Sequence, residues 1–251
     1  MRIALIGYGK MGRLIEELAV AAGHEIVLKI TRSNAADLNK ENLSKADVAI
    51  EFTSPDAAYE NIKQCIDAGL PVVCGTTGWN EKLEEMKAYC IEKNGSFLHA
   101  SNFSIGVNIF FEVNRFLAIM MGSGFAGLSG LGGYDVSIKE IHHTQKKDAP
   151  SGTAVTLAEQ IIEHNKSKTH WVKEEASNPE ELSIYSERKD PAPGTHEVKY
   201  SSEIDDIEII HTAHNRKGFA SGAIKAAEYI VGRKGVFSMR EVLGLEGIER
   251  R

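Results

Sequence analysis

The stretch RIALIGYGKMGR, Arg2–Arg13, decides the fold. Its first half is a short apolar run. Its second half sets Gly7, Gly9 and Gly12 in a G-x-G-x-x-G frame that opens the helical spacing of MGRLIEELAVAAG. Each glycine has a physical purpose where a strand turns into a helix. The first makes a tight turn, the second lets a pyrophosphate approach the backbone, and the third lets helix and strand lie close together. The N–H groups at the helix start then face the anion. Gly7, Tyr8, Gly9, Lys10, Met11 and Gly12 are therefore expected to form the phosphate loop of a dinucleotide-binding domain.

The pattern continues outward from this loop. EIVLKI (Glu25–Ile30), DVAIEFT (Asp47–Thr53), PVVCGTT (Pro71–Thr77) and SFLHA (Ser96–Ala100) are further short apolar runs, and DAAYENIKQCIDAG and EKLEEMKAYCIEKNG between them have helical spacing. Such alternation predicts buried parallel strands joined by right-handed crossovers, an α/β fold with a Rossmann-type doubly wound sheet. Ligands of these sheets lie at the carboxyl ends of the strands. Gly75, Thr76 and Thr77 after one run, and Ala100, Ser101, Asn102 and Phe103 after another, are thus further candidates for cofactor contact.

After Asn102 the pattern changes. IGVNIFFEVNRFLAIMMG predicts a long apolar helix, and GSGFAGLSGLGG a mobile glycine-rich connection. YDVSIKEIHH, ELSIYSER, THEVKYSS and DIEIIHTAH alternate apolar and polar residues, as strands of an open mixed sheet with one wet face do. KGFASGAIKAAEYIVGRKG returns to a helix of small residues suited to close packing on the first domain. The expected organisation is a dinucleotide-binding domain from residues 1–103 and 218–251, with an α+β domain inserted over 104–217.

An NAD-specific site usually ends its second strand on an acid that holds the ribose hydroxyls. Here that end reads KITRSN, with Thr31, Arg32 and Ser33 in place of the acid. Arg32 can pair with a 2′-phosphate, so NADPH is favoured and NADH tolerated. The 35 acidic and 29 basic residues leave a net charge of −6, which argues against nucleic acid or an anionic membrane as partner. No apolar run approaches the roughly 20 residues of a membrane span, and RIALIG is too short for a signal peptide. Cys65, Cys74 and Cys90, odd in number and far apart, read as reduced core thiols of a cytoplasmic protein.

A second stretch carries the chemistry: EIHHTQKKDAPSGTA, Glu140–Ala154. His142 and His143 stand at the end of the strand VSIKEI and point to opposite faces. Ser151, after Pro150, is a natural N-cap for the helix GTAVTLAEQIIEH. The N–H groups of Ser151, Gly152 and Thr153 then offer an anion site, with Lys146 adding positive charge over it. A histidine nearby can carry a proton at neutral pH. A zinc site from His142, His143, His211 and His214 lacks a cysteine or clustered carboxylate to complete it, and no metal is expected.

Every fixed position of E-x-H-H-x-x-K-x-D-x-P-S-G-T-A is met in this stretch, which resembles the signature of the dihydrodipicolinate reductases. The resemblance extends to GYGKMG, CGTTG, ASNFSIGVN and NRKGFASGAIKAAEYI, in order along essentially the whole chain. It implies that His142 is the proton donor and that Lys146 assists it and binds a substrate carboxylate. His143, Ser151, Gly152 and Thr153 would hold the other polar groups of a small cyclic dicarboxylate. It also implies a cytoplasmic enzyme, tetrameric through the sheet of the inserted domain. The implied reaction reduces 4-hydroxy-tetrahydrodipicolinate to tetrahydrodipicolinate with hydride from NADPH or NADH. The chain departs from the family's longer G-x-G-G-R-M-G loop, and it lacks the acid after the second strand. Both differences bear on coenzyme preference and neither on the reaction. Competing readings are another two-domain NAD(P)-dependent reductase, which does not need HHTQKKDAPSGT, and a non-catalytic nucleotide sensor, which does not need both His142 and Lys146.

Overall fold

Strands covered on both faces need apolar residues at every position, and Ile3–Ile6 and Val48–Ile50 are all buried. The computed structural model describes residues 1–122 and 133–247 and divides into two compact units, Met1–Ile105 with the chain from Arg216 onward, and Gly106–Asn215.

The first unit holds β1 (Arg2–Ile6), α1 (Lys10–Ala21), β2 (Glu25–Ile30), α2 (Lys40–Leu43), β3 (Val48–Glu51), α3 (Pro55–Asp67), β4 (Val72–Cys74), α4 (Leu83–Glu92) and β5 (Ser96–His99). All its strands pair in parallel, in the order β2, β1, β3, β4, β5, with a sixth strand at the far edge. The strand order reverses at β1, because β2 lies on one side of it and β3 on the other. The phosphate loop follows β1 at this switch point, where doubly wound sheets bind their ligands. Side chains alternate between the two faces, so Ala4, Ile6, Ala49 and Val72 enter one core while Ile3, Leu5, Val48, Ile50 and Val73 enter the other.

The second unit begins with α5 (Ile105–Gly122) and continues through β6 (Asp135–His142), α6 (Gly152–His164), β7 (His170–Lys173), β8 (Glu181–Arg188), β9 (Gly194–Ser201) and β10 (Asp206–Ala213). Its five strands run in the order β10, β9, β6, β8, β7. The sheet is mixed, since β6 pairs antiparallel with β9 and parallel with β8. Val136, Ile138, Leu182, Ile184, Val198 and Tyr200 fill its core with Phe110, Phe111, Leu117 and Ala118 of α5. The chain then returns to the first unit through α7 (Lys217–Ile230), β11 (Gly235–Phe237) and α8 (Met239–Val242), and β11 is the sixth parallel strand, beside β5.

The small residues of α7 serve close approach, as its sequence predicts. A Cβ on Gly222 would fall 1.8 Å from the carbonyl oxygen of Phe103, so a larger residue would push the helix off. Two expectations need amendment or lie out of reach. Ile105–Gly122 is long and apolar enough, by length and composition, to cross a membrane, contrary to the expectation that no run approaches a span. Val107, Phe110, Phe111, Leu117 and Ala118 on one side of it enter the core of the second unit, while Ile105, Ile109, Val113, Phe116 and Met120 stay exposed. The glycine-rich connection falls on 123–132, outside the described residues.

Candidate active site

In the first unit three strand ends converge on Phe52. Gly7 has φ of +94°, and a Cβ there would lie 1.9 Å from the Phe52 carbonyl oxygen, so glycine is required by both backbone and space. A Cβ on Gly75 would strike the Phe52 ring at 2.1 Å, and the Phe103 ring lies 5.8 Å from it. Gly12 is held by contact with the turn, its notional Cβ 2.3 Å from the Gly7 carbonyl oxygen, whereas a Cβ on Gly9 would meet nothing within 4 Å. The loop is therefore closed beneath and open at Gly9. Gly9 is also the N-cap of α1, and no side chain caps that helix. This geometry fits a pyrophosphate, which would supply the missing cap.

Tyr8 beside this loop donates a hydrogen bond to Glu16, which pairs with Lys29 at 2.5 Å, and the Lys29 ammonium stands 4.9 Å over the Tyr8 ring. Lys10 is exposed and Met11 partly buried at the start of α1. Arg32 is exposed and opens a short 3-10 turn after β2. The Thr31 and Ser33 hydroxyls lie 2.8 Å apart and the Thr31 hydroxyl also donates to Asn34 at 2.7 Å, so both serve the turn in this state.

A second network holds Thr76. Its hydroxyl donates to the buried Glu51 at 2.7 Å and accepts the Thr53 N–H at 2.8 Å, while its carbonyl accepts the Trp79 indole N–H at 2.7 Å. His99 Nε2 lies 3.2 Å from the same carbonyl, and burial pushes this histidine down to about 4. Thr77, Ala100, Ser101 and Asn102 are all partly exposed at the same strand ends, and the Asn102 side chain accepts the Ser104 N–H at 2.9 Å.

In the second unit His142 and Glu140 lie two residues apart on β6 and so share one face. That face is buried: Glu140 has no exposed surface and His142 only 6%. Register brings the partners. Glu140 stands opposite His196 of β9, and His142 opposite Arg188 of β8. His142 Nδ1 lies 3.4 Å from Glu140 Oε2, the two histidine rings meet edge to face at 5.0 Å, and His196 Nε2 reaches Ser151 Oγ at 3.2 Å. Ser186 donates to Glu140 at 2.8 Å and Arg188 at 3.1 Å.

Ser151 is the N-cap of α6, as the sequence predicts, and its hydroxyl accepts the Ala154 N–H at 3.2 Å. The expected anion site needs one correction. The Ser151 N–H donates to Glu140, at 3.1 and 3.2 Å from its two oxygens, because the buried carboxylate sits directly beneath the helix start. Gly152 and Thr153 follow as the first helical residues. Lys146 is partly exposed and pairs with Asp148 at 2.9 Å, whereas Lys147 is fully on the surface. His143 follows the end of β6, partly exposed, and its N–H donates to the Ala192 carbonyl at 2.8 Å.

Burial pushes His142 down to about 4; the Glu140 charge opposes this, while Lys146 and Arg188 reinforce it. Burial would raise Glu140, but hydrogen bonds from Ser151, Ser186 and Arg188, together with the pull of a charged His142, win, and its carboxyl lies below the usual range. Burial holds His196 well below the usual histidine value, and the Lys146 charge adds to this. Glu140, His142 and His196 place one potential ligand atom each within 4.8 Å of one another, a different set from the four histidines considered above. The Glu140 oxygens are already engaged, and Arg188 and Lys146 oppose a further cation, so hydrogen bonding accounts for this cluster better than a metal.

Glu140, Ser186, Arg188, His196 and Phe52 escape sequence reasoning as site residues. Glu140 and His142 carried a legible signal, their spacing of two on a strand, but the others meet the site only through sheet register and strand-end geometry.

A sheet with a dinucleotide loop at its switch point, joined in one chain to a mixed sheet bearing a buried histidine beside a capped helix start, defines a two-unit NAD(P)H-dependent oxidoreductase. The chain belongs to the dihydrodipicolinate reductase family: the family model for the N-terminus matches residues 1–103, and that for the C-terminus matches 106–243. It is 47% identical to the 4-hydroxy-tetrahydrodipicolinate reductase of Christiangramia forsetii, over 97% of this chain and 98% of that one. Identity to the reductase of Methanoculleus marisnigri is 38%, over 81% and 78% of the two chains. Among solved structures, a dipicolinate-bound dihydrodipicolinate reductase from Paenisporosarcina sp. TG-14 superposes with a TM-score of 0.70 at 25% identity, covering 96% of this chain and 98% of that one.

Proposed function

We propose that the end of β6 and the start of α6 perform the proton-delivering half of a reductase reaction. The reaction is the reduction of 4-hydroxy-tetrahydrodipicolinate to tetrahydrodipicolinate, with loss of water, in the diaminopimelate route to lysine. NAD(P)H, when bound, supplies the hydride. Gly7 to Gly12, Gly75 to Thr77 and Ala100 to Phe103 would hold it, with Arg32 toward a 2′-phosphate. His142 gives the proton, Lys146 neutralises a substrate carboxylate, and His143, Gly152 and Thr153 bind the remaining polar groups. Ser151 acts by capping α6.

One observation carries this reading: a buried proton carrier stands beside a capped helix start with a lysine on the same segment. A neutral resting His142 is compatible with donation. A dicarboxylate brings two negative charges to the pocket, and each raises the affinity of the imidazole for a proton. The dipicolinate of the Paenisporosarcina enzyme is such a cyclic dicarboxylate. His142→Gln tests the reading: kcat is expected to fall about 10²–10⁴-fold, with coenzyme binding unchanged. A fully active variant removes His142 from the reaction.

We further propose a cytoplasmic homotetramer built through the second unit. Support comes from β10, an edge strand that leaves Ile207 and Ile210 exposed, and from Ile109, Val113 and Phe116 on one exposed stripe of α5. Light scattering of the eluting protein tests this, and a monomer across the micromolar range rules it out.

A further inference from the structure

We propose that Glu140 is the positioning residue of the proton donor, locking His142 and the start of α6 into one arrangement and supplying the counter-charge when His142 is protonated. The geometry is that of a hub. One carboxylate reaches its own strand through His142, β8 through Ser186 and Arg188, α6 through the Ser151 N–H, and lies 3.7 Å from His196 of β9. It is wholly buried, and a buried anion persists only where such donors surround it.

Glu140 also settles which His142 nitrogen acts. Nδ1 is buried 3.4 Å from the Glu140 carboxylate, within ion-pair distance but without a hydrogen bond while the ring is neutral, whereas Nε2 lies toward Gly194, where there is no side chain. Once protonated, the ring can therefore pair with Glu140 through Nδ1, which leaves Nε2 as the nitrogen to give the proton. The charges facing the ring come from every element around it: Glu140 on its own strand, Arg188 on β8, His196 on β9, and Lys146 and Asp148 on the following loop. Glu140 is the anion nearest the ring. Removing its charge leaves Lys146 and Arg188 facing the ring with less negative charge to oppose them.

The inference rests on His142 as proton donor, and the test separates the two. Glu140→Gln keeps one acceptor oxygen, which Ser151 and Ser186 can share, but removes the charge. Activity that needs protonated His142 is lost as pH rises through its pKa in the substrate complex. That alkaline limb of kcat is expected to move toward acid by about one unit or more in the variant. The His142 ring titration, followed by nitrogen-15 NMR on the enzyme without substrate, should move the same way. If both stay where they are while kcat falls, Glu140 only packs, and the proposal is overturned. Should Glu140→Gln not fold, Glu140→Asp decides: retained charge on a shorter arm predicts a lower kcat with the alkaline limb in place, and a displaced limb counts against the proposal. Full activity in His142→Gln would sink the donor reading alone, because the NMR titration still reports the link between Glu140 and His142.

Discussion

The backbone of Gly194 lies against Nε2 of His142, so closely that a Cβ at 194 would stand 3.0 Å from Nε2 and 3.3 Å from Cδ2. The ring cannot retreat, because Glu140 and His196 close its other sides. Gly194→Ala is therefore expected to crowd the donating nitrogen and lower kcat about tenfold or more, with coenzyme binding unaffected. Wild-type kcat in the alanine variant would show that the ring has room to move.

Lys146 and Lys147 are adjacent but differ in exposure, and only Lys146 is tied to the segment, through Asp148. Lys146→Ala should raise KM for the dicarboxylate and lower kcat, a combined loss in kcat/KM of about 10–100-fold, as for a lost charge-assisted contact. Lys147→Ala should stay within about twofold, as surface substitutions do. A larger loss at Lys147 would reverse the assignment.

Acid should destabilise the protein before its carboxylates titrate. His99 and His142 are held at about 4 mainly by burial, and His196 well below its usual value. Above the ordinary histidine value near 6.5 both folded and unfolded chains carry these rings neutral. Below it the unfolded chain takes up protons that the folded chain refuses, so stability falls with pH until the folded values are reached. Glu140, with its lowered pKa, adds a loss only at still lower pH. Calorimetry should show a falling Tm from about pH 7 to about pH 5, with a shallower slope in His99→Gln. A flat Tm over that interval would contradict the account.

Arg32 is exposed, so its pull on a 2′-phosphate is screened and worth about 1 kcal/mol. Arg32→Ala should raise KM for NADPH about five- to tenfold and leave that for NADH nearly unchanged. The wild type is expected to accept both. An equal effect on the two coenzymes would place Arg32 elsewhere than on the phosphate.

The first unit was legible because each of its central strands is a continuous apolar run between helical stretches. Its edge was not. Gly235–Phe237 is three partly buried residues, too short and too mixed to announce a strand, and His170–Lys173 on the other sheet is likewise a half-exposed edge. The segment with His142, Lys146 and Ser151 was legible because its spacing is local. His196 was not, since only the antiparallel register of β6 and β9 brings it to Glu140, 56 positions away in the chain. That the Ser151 N–H turns to Glu140 was not legible either, because the sequence does not say that this carboxylate is buried beneath the helix start.

The six-stranded sheet draws its last helix and strand from beyond residue 216. During synthesis the apolar face formed by Ile3, Leu5, Val48, Ile50 and Val73 must therefore wait, covered only in part by Ile15 and Ala19 of α1, while the whole second unit leaves the ribosome, because Ala220, Ala223, Ile224 and Ala227 of α7 complete its cover. The second unit comes from one unbroken stretch and has no such delay. Its order of emergence makes the nucleotide-binding half the later to mature and the more exposed to chaperones and proteases on the way.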